Sequence, residues 1–453
     1  MKNNVKSITR GAVSLGIGAF ISKILGAIYR IPLTNILGGL GLGLYQMVFP
    51  VYALLLDFSG AGVPSALSKI IAQNGEDKEK RAYEYLSSSI RLLSILGAIG
   101  ALLMFVLAKP LATMQGNPDA YLGYVFLSPA VFAVSLISCF RGYFQGLLNM
   151  TPTAISQVVE QIIKLLFGLI LARLFLPDIP KAVAGATFAI SVSEFIALSV
   201  LFFTYKRRKN VNSLNLIFDR FEHRTRVKRI LKTTVPITLV GILIPFSQVI
   251  DSFLMVNIIG AYRADATALY GLLGGVAMTV VNLPVSICYG VATVAIPTVS
   301  AAKTEAEKNK NTLKTLFLTL AVAVPCAIFC FFFAPFIVNL LFRSLSQVEK
   351  TVAVNLLKTA SPCVALLSLL QTSNGALIGK GKLYFPVLSL LIGIIVKTAL
   401  NLILLKIPSV NIYGGAIALN ACYFTSCLIN LIMIFNVKVR NGSSRACRRE
   451  YAS

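Results

Sequence analysis

Apolar runs long enough to cross a bilayer, roughly 20 residues each, recur from one end of this sequence to the other. They leave no interval wide enough for a soluble domain. Only 13% of the 453 residues are charged, where a soluble chain carries about 25%, so the runs are read as the helices of an all-α polytopic membrane protein. The expected spans are 10–34, 44–72, 86–108, 121–147, 153–176, 182–205, 233–259, 270–299, 314–341, 352–378, 383–405 and 413–436, twelve in all.

The net charge of +25 would suggest nucleic acid in a soluble protein. Here the bases gather between alternate spans: Lys2, Lys6 and Arg10; Lys78, Lys80 and Arg81; Lys206 to Arg229; Lys303, Lys308 and Lys310; Arg445, Arg448 and Arg449. This positive-inside pattern expects both termini in the cytoplasm and membrane lipids, not nucleic acid, as the partners of the charge. The first apolar run outlasts a signal-peptide core and is read as an uncleaved helix. The eight cysteines form no CxxC pair, and His223 is the only histidine. Neither a metal site nor metal-assisted catalysis is expected.

Residues 142–171 align with 375–404 at a constant offset of 233, pairing Gly142 with Gly375, Gly146 with Gly379, Ser156 with Ser389 and Lys164 with Lys397. GVPSALSKIIAQNGEDKEK from Gly62 likewise resembles GVATVAIPTVSAAKTEAEK from Gly290. Six helices followed by six related helices imply two pseudo-symmetric bundles around a central cavity, related by an axis along the membrane normal. The expected organisation is a lobe at 1–205, a basic cytoplasmic linker at 206–230, a second lobe at 231–437 and a basic tail at 438–453.

Charges inside a span are costly and usually face a cavity or a partner. In the fifth span Gln157, Glu160, Gln161 and Lys164 follow i, i+3, i+4, i+7 spacing and share one face. Such a stripe suits the wall of an aqueous pathway; the structural alternative is a Glu160–Lys164 pair packing the bundle. Lys23 and Arg30 share a face of the first span, and Lys397 stands mid-span one turn before Asn401. Equivalent lysines facing one cavity would suit an anionic substrate. Arg141, near the cytoplasmic end of the fourth span, is read as reaching headgroups, and Glu160 as the partner of Lys164. The intramembrane acids are Asp57, Glu194 and Asp251, of which Asp251 is the candidate for a coupling cation or a counter-charge.

RGYFQGLLNMTPTAISQVVEQIIK resembles the signature region of the stage V sporulation protein B-like polysaccharide transporters. These are relatives of the lipid II flippases in the multidrug/oligosaccharidyl-lipid/polysaccharide exporter superfamily. ISKILGAIYRIPL, SGAGVPSALSKIIAQ, NLPVSICYGVATVAIPTVS and NGALIGKGKLYFPVLSLLIGIIVKTALNLIL extend the resemblance over nearly the whole chain. It implies a two-lobed helical flippase without catalytic residues or cofactor, with a cationic cavity that accepts an undecaprenyl-pyrophosphate-linked oligosaccharide in a bacterial cytoplasmic membrane. A Na+ gradient, an H+ gradient or the membrane potential would drive it, and cell-wall synthesis proteins would be its partners. The sequence departs from that family in three places: twelve helices against fourteen, no counterpart to the bases of the second and eighth helices, and Leu405 at the expected sodium-site acid. Asp251 and Asn401 remain as the ion-coupling pair. The readings left open are a cation-coupled multidrug or metabolite exporter of the same superfamily and a non-transporting scaffold for cell-wall synthesis. A membrane glycosyltransferase would need loop carboxylates or histidines that the short outer loops lack.

Overall fold

The apolar runs become helices throughout the computed structural model, which describes residues 2–72, 78–207, 220–302, 304–382 and 384–435, with no side chain before Leu25 among them. Among these residues there is no strand, as expected where lipid offers no partner for an open backbone. The α-helices are α1 (Lys2–Leu56), α2 (Val63–Ala72), α3 (Lys78–Val106), α4 (Ala108–Met114), α5 (Tyr121–Gly146), α6 (Thr151–Leu174), α7 (Ile179–Lys206) and α8 (Arg220–Gly260). They continue as α9 (Ala266–Gly271), α10 (Met278–Ser300), α11 (Glu305–Phe332), α12 (Ala334–Leu341), α13 (Gln347–Ala360), α14 (Pro362–Gly379), α15 (Phe385–Leu404) and α16 (Tyr413–Phe435).

Eleven stretches of the described residues are long and apolar enough to span a membrane. The first, Ile28–Ala72, has 45 residues, about twice what a 30 Å core needs. It is broken at Gly38, where φ is +65° and ψ is −173°, a conformation that glycine adopts without a Cβ penalty. The break lies between the expected first and second spans, and the other ten stretches correspond to the remaining ten expected spans. The sequence-based boundaries move most in the ninth and tenth spans. The expected 314–341 ends at Phe332 with α12 separate, and 352–378 is two helices, parted at Ser361 before Pro362, whose missing N–H interrupts the ladder. Short π-helical turns at Asp57–Ala61 and Leu272–Ala277 interrupt the second and eighth spans.

The internal repeat reappears as packing. Without a hydrophobic drive between helices in lipid, close approach depends on small residues. A Cβ on Gly142 would stand 3.0 Å from Pro64 Cα, and one on Gly146 would stand 2.7 Å from Ile71 Cβ, so α5 lies directly on α2. In the second half, Gly375 meets the Ala292 carbonyl at 2.7 Å and Gly379 meets Val299 Cβ at 2.9 Å, so α14 lies on α10 in the same way. Pro64 and Ile71 are the alignment partners of Ala292 and Val299. The turn after each glycine pair repeats as well: Leu148 (φ 60°) and its aligned partner Gly381 (φ 76°) are both left-handed.

The chain forms two compact units. One holds Met1–Val280, Cys330–Thr359 and Thr398–Ala416; the other holds Val281–Phe329, Ala360–Lys397 and Ile417–Ser453. In the first, α5 packs on α3 and α7, and α6 packs on α1 and α7. That arrangement encloses the polar stripe of α6.

Candidate functional site

α5 and α6 form a hairpin whose turn, from Leu147 to Met150, folds α6 back along α5. Arg141, in the last two turns of α5, therefore meets Glu160, in the third turn of α6. Arg141 Nη2 donates to Glu160 Oε2 at 3.0 Å, and Arg141 Nε donates to Ser156 Oγ at 3.3 Å. Gln161 Nε2 occupies the other carboxylate oxygen at 2.9 Å. Both partners of the ion pair are largely withdrawn from the surface, at 17% and 12% side-chain exposure. A charge pair this deep holds only because each charge is also hydrogen-bonded.

Two sequence readings change here. Arg141 does not reach for headgroups; it is the ion-pair partner of Glu160. Lys164 is not. Pairing across the hairpin wins over pairing along the helix because Arg141 and Gln161 between them satisfy both oxygens of Glu160. Lys164, half-buried one turn farther along the same face, has no ion-pair partner among the described residues. The charges of Glu160, Lys164 and Arg141 all bear on Glu194 of α7, which is buried and receives a long hydrogen bond of 3.5 Å from Tyr52 Oη of α1. Tyr52 and Glu194 thus belong to the cluster, although the sequence marked Glu194 only as one more intramembrane acid. The other charges of α7, Lys181 and Lys206, lie at its two ends, so no helical spacing marked a partner for it.

The remaining expected residues are distributed as follows. The side chain of Lys23 lies outside the described residues. Arg30 is half-buried, and its carbonyl accepts from Thr34 Oγ1 at 2.8 Å. Gln157 lies beside the cluster with its Oε1 buried and without a hydrogen-bond partner. Lys397 is buried, at 3% exposure, and belongs to the second unit, whereas Lys164 belongs to the first. The repeat carries the lysine over without its surroundings. Arg141 aligns with Asn374, which accepts from Asn430 Nδ2 at 2.7 Å, and Glu160 aligns with Gly393, where a Cβ would collide with Ser426 Oγ of α16.

Asp251 and Asn401 do come together: Asn401 Nδ2 donates to Asp251 Oδ1 at 3.0 Å, and Asn401 Oδ1 is buried without a partner. The neighbouring Ser252 belongs to a buried network that the sequence did not reveal. Gln115 Nε2 donates to Ser252 Oγ at 2.8 Å, and Tyr124 Oη donates to Gln115 Oε1 at 2.6 Å. No group of three His, Cys, Asp or Glu side chains among the described residues could hold a metal ion.

Residues 8–303 match the family model described as polysaccharide biosynthesis protein, and residues 236–403 match MatE. The lipid II flippase MurJ of Bacillus subtilis (strain 168) is 27% identical, over 94% of this chain and 82% of its own. Stage V sporulation protein B of the same organism is 26% identical, over 91% and 81%. Among solved structures, an inward-facing multidrug resistance MATE family transporter of the MOP superfamily superposes with a TM-score of 0.74 at 14% identity, over 94% of this chain and 97% of its own. Lipid II flippase MurJ in an inward closed conformation gives 0.73 at 15%, over 93% and 87%. The chain shares their two-lobed helical fold.

Proposed function

The chain belongs to the polysaccharide biosynthesis protein family and is a MOP-superfamily transporter, not an enzyme, and from that premise we propose that it is a lipid-linked oligosaccharide flippase. It moves an undecaprenyl-pyrophosphate-linked cell-wall precursor, lipid II or a related polysaccharide lipid intermediate, from the inner to the outer leaflet of a bacterial cytoplasmic membrane by alternating access. The observation that carries this reading is Lys164, a half-buried base inside a membrane helix without an ion-pair partner among the described residues. A cation at that depth costs about 3 kcal/mol on insertion scales, and an anionic diphosphate offsets the cost in use. Arg141, held by Glu160 and Ser156, adds a second cation beside it. The unpartnered Gln157 Oε1 suits a donating sugar hydroxyl. Lys23, Arg30 and Lys397 extend the proposed cationic lining.

In this reading 1–205 and 231–437 are the two lobes, joined by the linker at 206–230, and the termini are cytoplasmic. A Na+ or H+ gradient or the membrane potential drives the cycle. The Asp251 carboxylate and Asn401 Oδ1 are hard oxygen donors that fit Na+, and Asp251 alone fits a proton. Cell-wall synthesis proteins are the partners that would take up the flipped product. A second reading, a cation-coupled exporter of drugs or metabolites, is favoured by the MatE match and the MATE-like fold.

Reconstituted protein, assayed for transfer of a fluorescent diphosphate-linked lipid sugar between leaflets, separates the two. Flipping that is lost on Lys164→Glu or Lys397→Glu, and for an uncharged lipid sugar, is the expected result. Undiminished flipping by both variants removes the lysines from the mechanism, and transport of organic cations alone favours the exporter.

A further inference from the structure

We propose that the exposed face of α8 between Arg224 and Leu239 binds the phosphate headgroups of anionic phospholipids at the membrane boundary. The proposal needs only that α8 spans the membrane; it does not depend on the flippase reading.

α8 starts well before its apolar span, which runs from Gly241 to Gly260. One side of the early turns is fixed to the protein. Ile230, Thr234 and Thr238 are buried, Arg226 Nη1 pairs with Glu84 Oε2 at 3.1 Å, and Arg229 Nη1 donates to Tyr85 Oη at 3.3 Å. With α8 held to α3 in this way, its other side is presented outward in a defined orientation.

That outward arc is graded. Residues four apart advance by about 40° around a helix, so Arg224, Lys228 and Lys232 share it with Leu231, Val235 and Leu239. All six are exposed, Leu239 at 59%. The bases fill the early turns and the aliphatics lead into the span. Arg224 to Lys232 covers about 12 Å of helix rise, comparable to the polar zone of one leaflet. None of the three bases pairs with an acid among the described residues, and no Asp or Glu occurs between residues 224 and 250. An exposed arc with three cations unpaired by acids, followed by aliphatics toward the apolar span, complements a phosphate headgroup whose chains lie along the same helix. Long basic side chains also bury their stems while the charge stays at headgroup depth.

The chain contains no tryptophan, so Leu239→Trp provides a single indole, excited selectively over the tyrosines, at the acyl end of this arc. Quenching by phospholipids with brominated chains then reads which lipid adjoins it. In the purified full chain, reconstituted in mixed vesicles, brominated phosphatidylglycerol is expected to quench in preference to brominated phosphatidylcholine. A preference on the order of a hundredfold follows at low salt, because each base near an anionic surface contributes about a factor of five, and it shrinks as salt shortens the Debye length. Arg224→Gln/Lys228→Gln/Lys232→Gln abolishes the preference, while the charge-retaining Arg224→Lys/Lys228→Arg/Lys232→Arg keeps it. A control tryptophan at Ile328→Trp, exposed on α11, shows none. Equal quenching by both lipids in the parent, or a preference that survives the triple Gln change, overturns the proposal. So does relief of phosphatidylglycerol quenching by equimolar undecaprenyl diphosphate, which would assign the face to a substrate-like lipid.

Discussion

Glu349 joins two helix starts, and its removal tests whether the break at Gly38 is held from outside. Its Oε2 accepts from the Ser346 amide and hydroxyl, both at 2.9 Å, while the Glu349 amide donates to Ser346 Oγ at 3.3 Å. This is a reciprocal capping box at the head of α13. Its Oε1 accepts from the Gly39 amide at 3.1 Å, across 310 residues of sequence. Gly39 is the first residue after the break, so its N–H is one of the donors that a restarting helix leaves unpaired. Loss of the box costs about 1 kcal/mol, and loss of a carboxylate at a second helix start costs about 1 kcal/mol more. Glu349→Ala therefore destabilises by about 2 kcal/mol. With unfolding entropy near 2.1 cal/mol/K per residue, that is a fall of about 2 °C in thermal midpoint if the chain unfolds as one. The midpoint can be followed with a thiol-reactive dye, because six of the seven described cysteines are buried and all are free. Glu349→Gln, which keeps one acceptor oxygen for three donors, should fall midway. Gly38→Ala meets no atom within 4 Å, so its cost of about 1 to 3 kcal/mol is strain of a backbone conformation that is essentially glycine-only. Combined with Glu349→Ala it should cost less than the sum, since both disturb the same contact. Strict additivity, or a Gln variant no better than Ala, refutes the reasoning.

Other outcomes follow from single contacts. Arg141→Ala or Glu160→Ala alone should cost about 3 to 5 kcal/mol by leaving one buried charge uncompensated, and Arg141→Met/Glu160→Gln should cost less than either, measured by denaturant titration in micelles. Gly146→Ala and Gly379→Ala should each destabilise by about 1 to 3 kcal/mol in the same titration, because the two contacts are repeats of each other. Leu148→Gly should stabilise by up to about 1 kcal/mol, removing a left-handed leucine. Outside the spans, Arg263 holds the Asp265 carboxyl below its usual range through hydrogen bonds of 2.7 and 2.8 Å. A lowered folded-state value stabilises above the unfolded pKa, near 3.9, and that stability is lost as the pH falls through the folded value. The midpoint gap between the wild type and Asp265→Asn should therefore be constant at neutral pH and close in acid.

What the sequence made legible was periodic or repeated. Run length gave the helices, and the i, i+3, i+4, i+7 stripe gave the shared face of Gln157, Glu160, Gln161 and Lys164. The offset of 233 found Gly142, Gly146, Gly375 and Gly379 before their contacts were known. The pairing of Glu160 was not legible, because a helix offers Lys164 at i+4 while Arg141 enters only once the Leu148 turn has set the register of α5 against α6. The same holds for Gly39 and Glu349, where the acceptor depends on where α13 starts and the donor on a broken helix. The repeat itself shows how far pattern reaches. It conserves the backbone device, two glycines and a left-handed turn, on both sides, but not the charges placed around it: Arg141 and Glu160 become Asn374 and Gly393. A backbone packing constraint acts within each half, so it survives duplication, whereas Arg141 and Glu160 need each other and are lost together. Lys164 and Lys397 recur at equivalent positions of the repeat although the residues around them differ, so the lysine, unlike the Arg141–Glu160 pair, is retained without its neighbours.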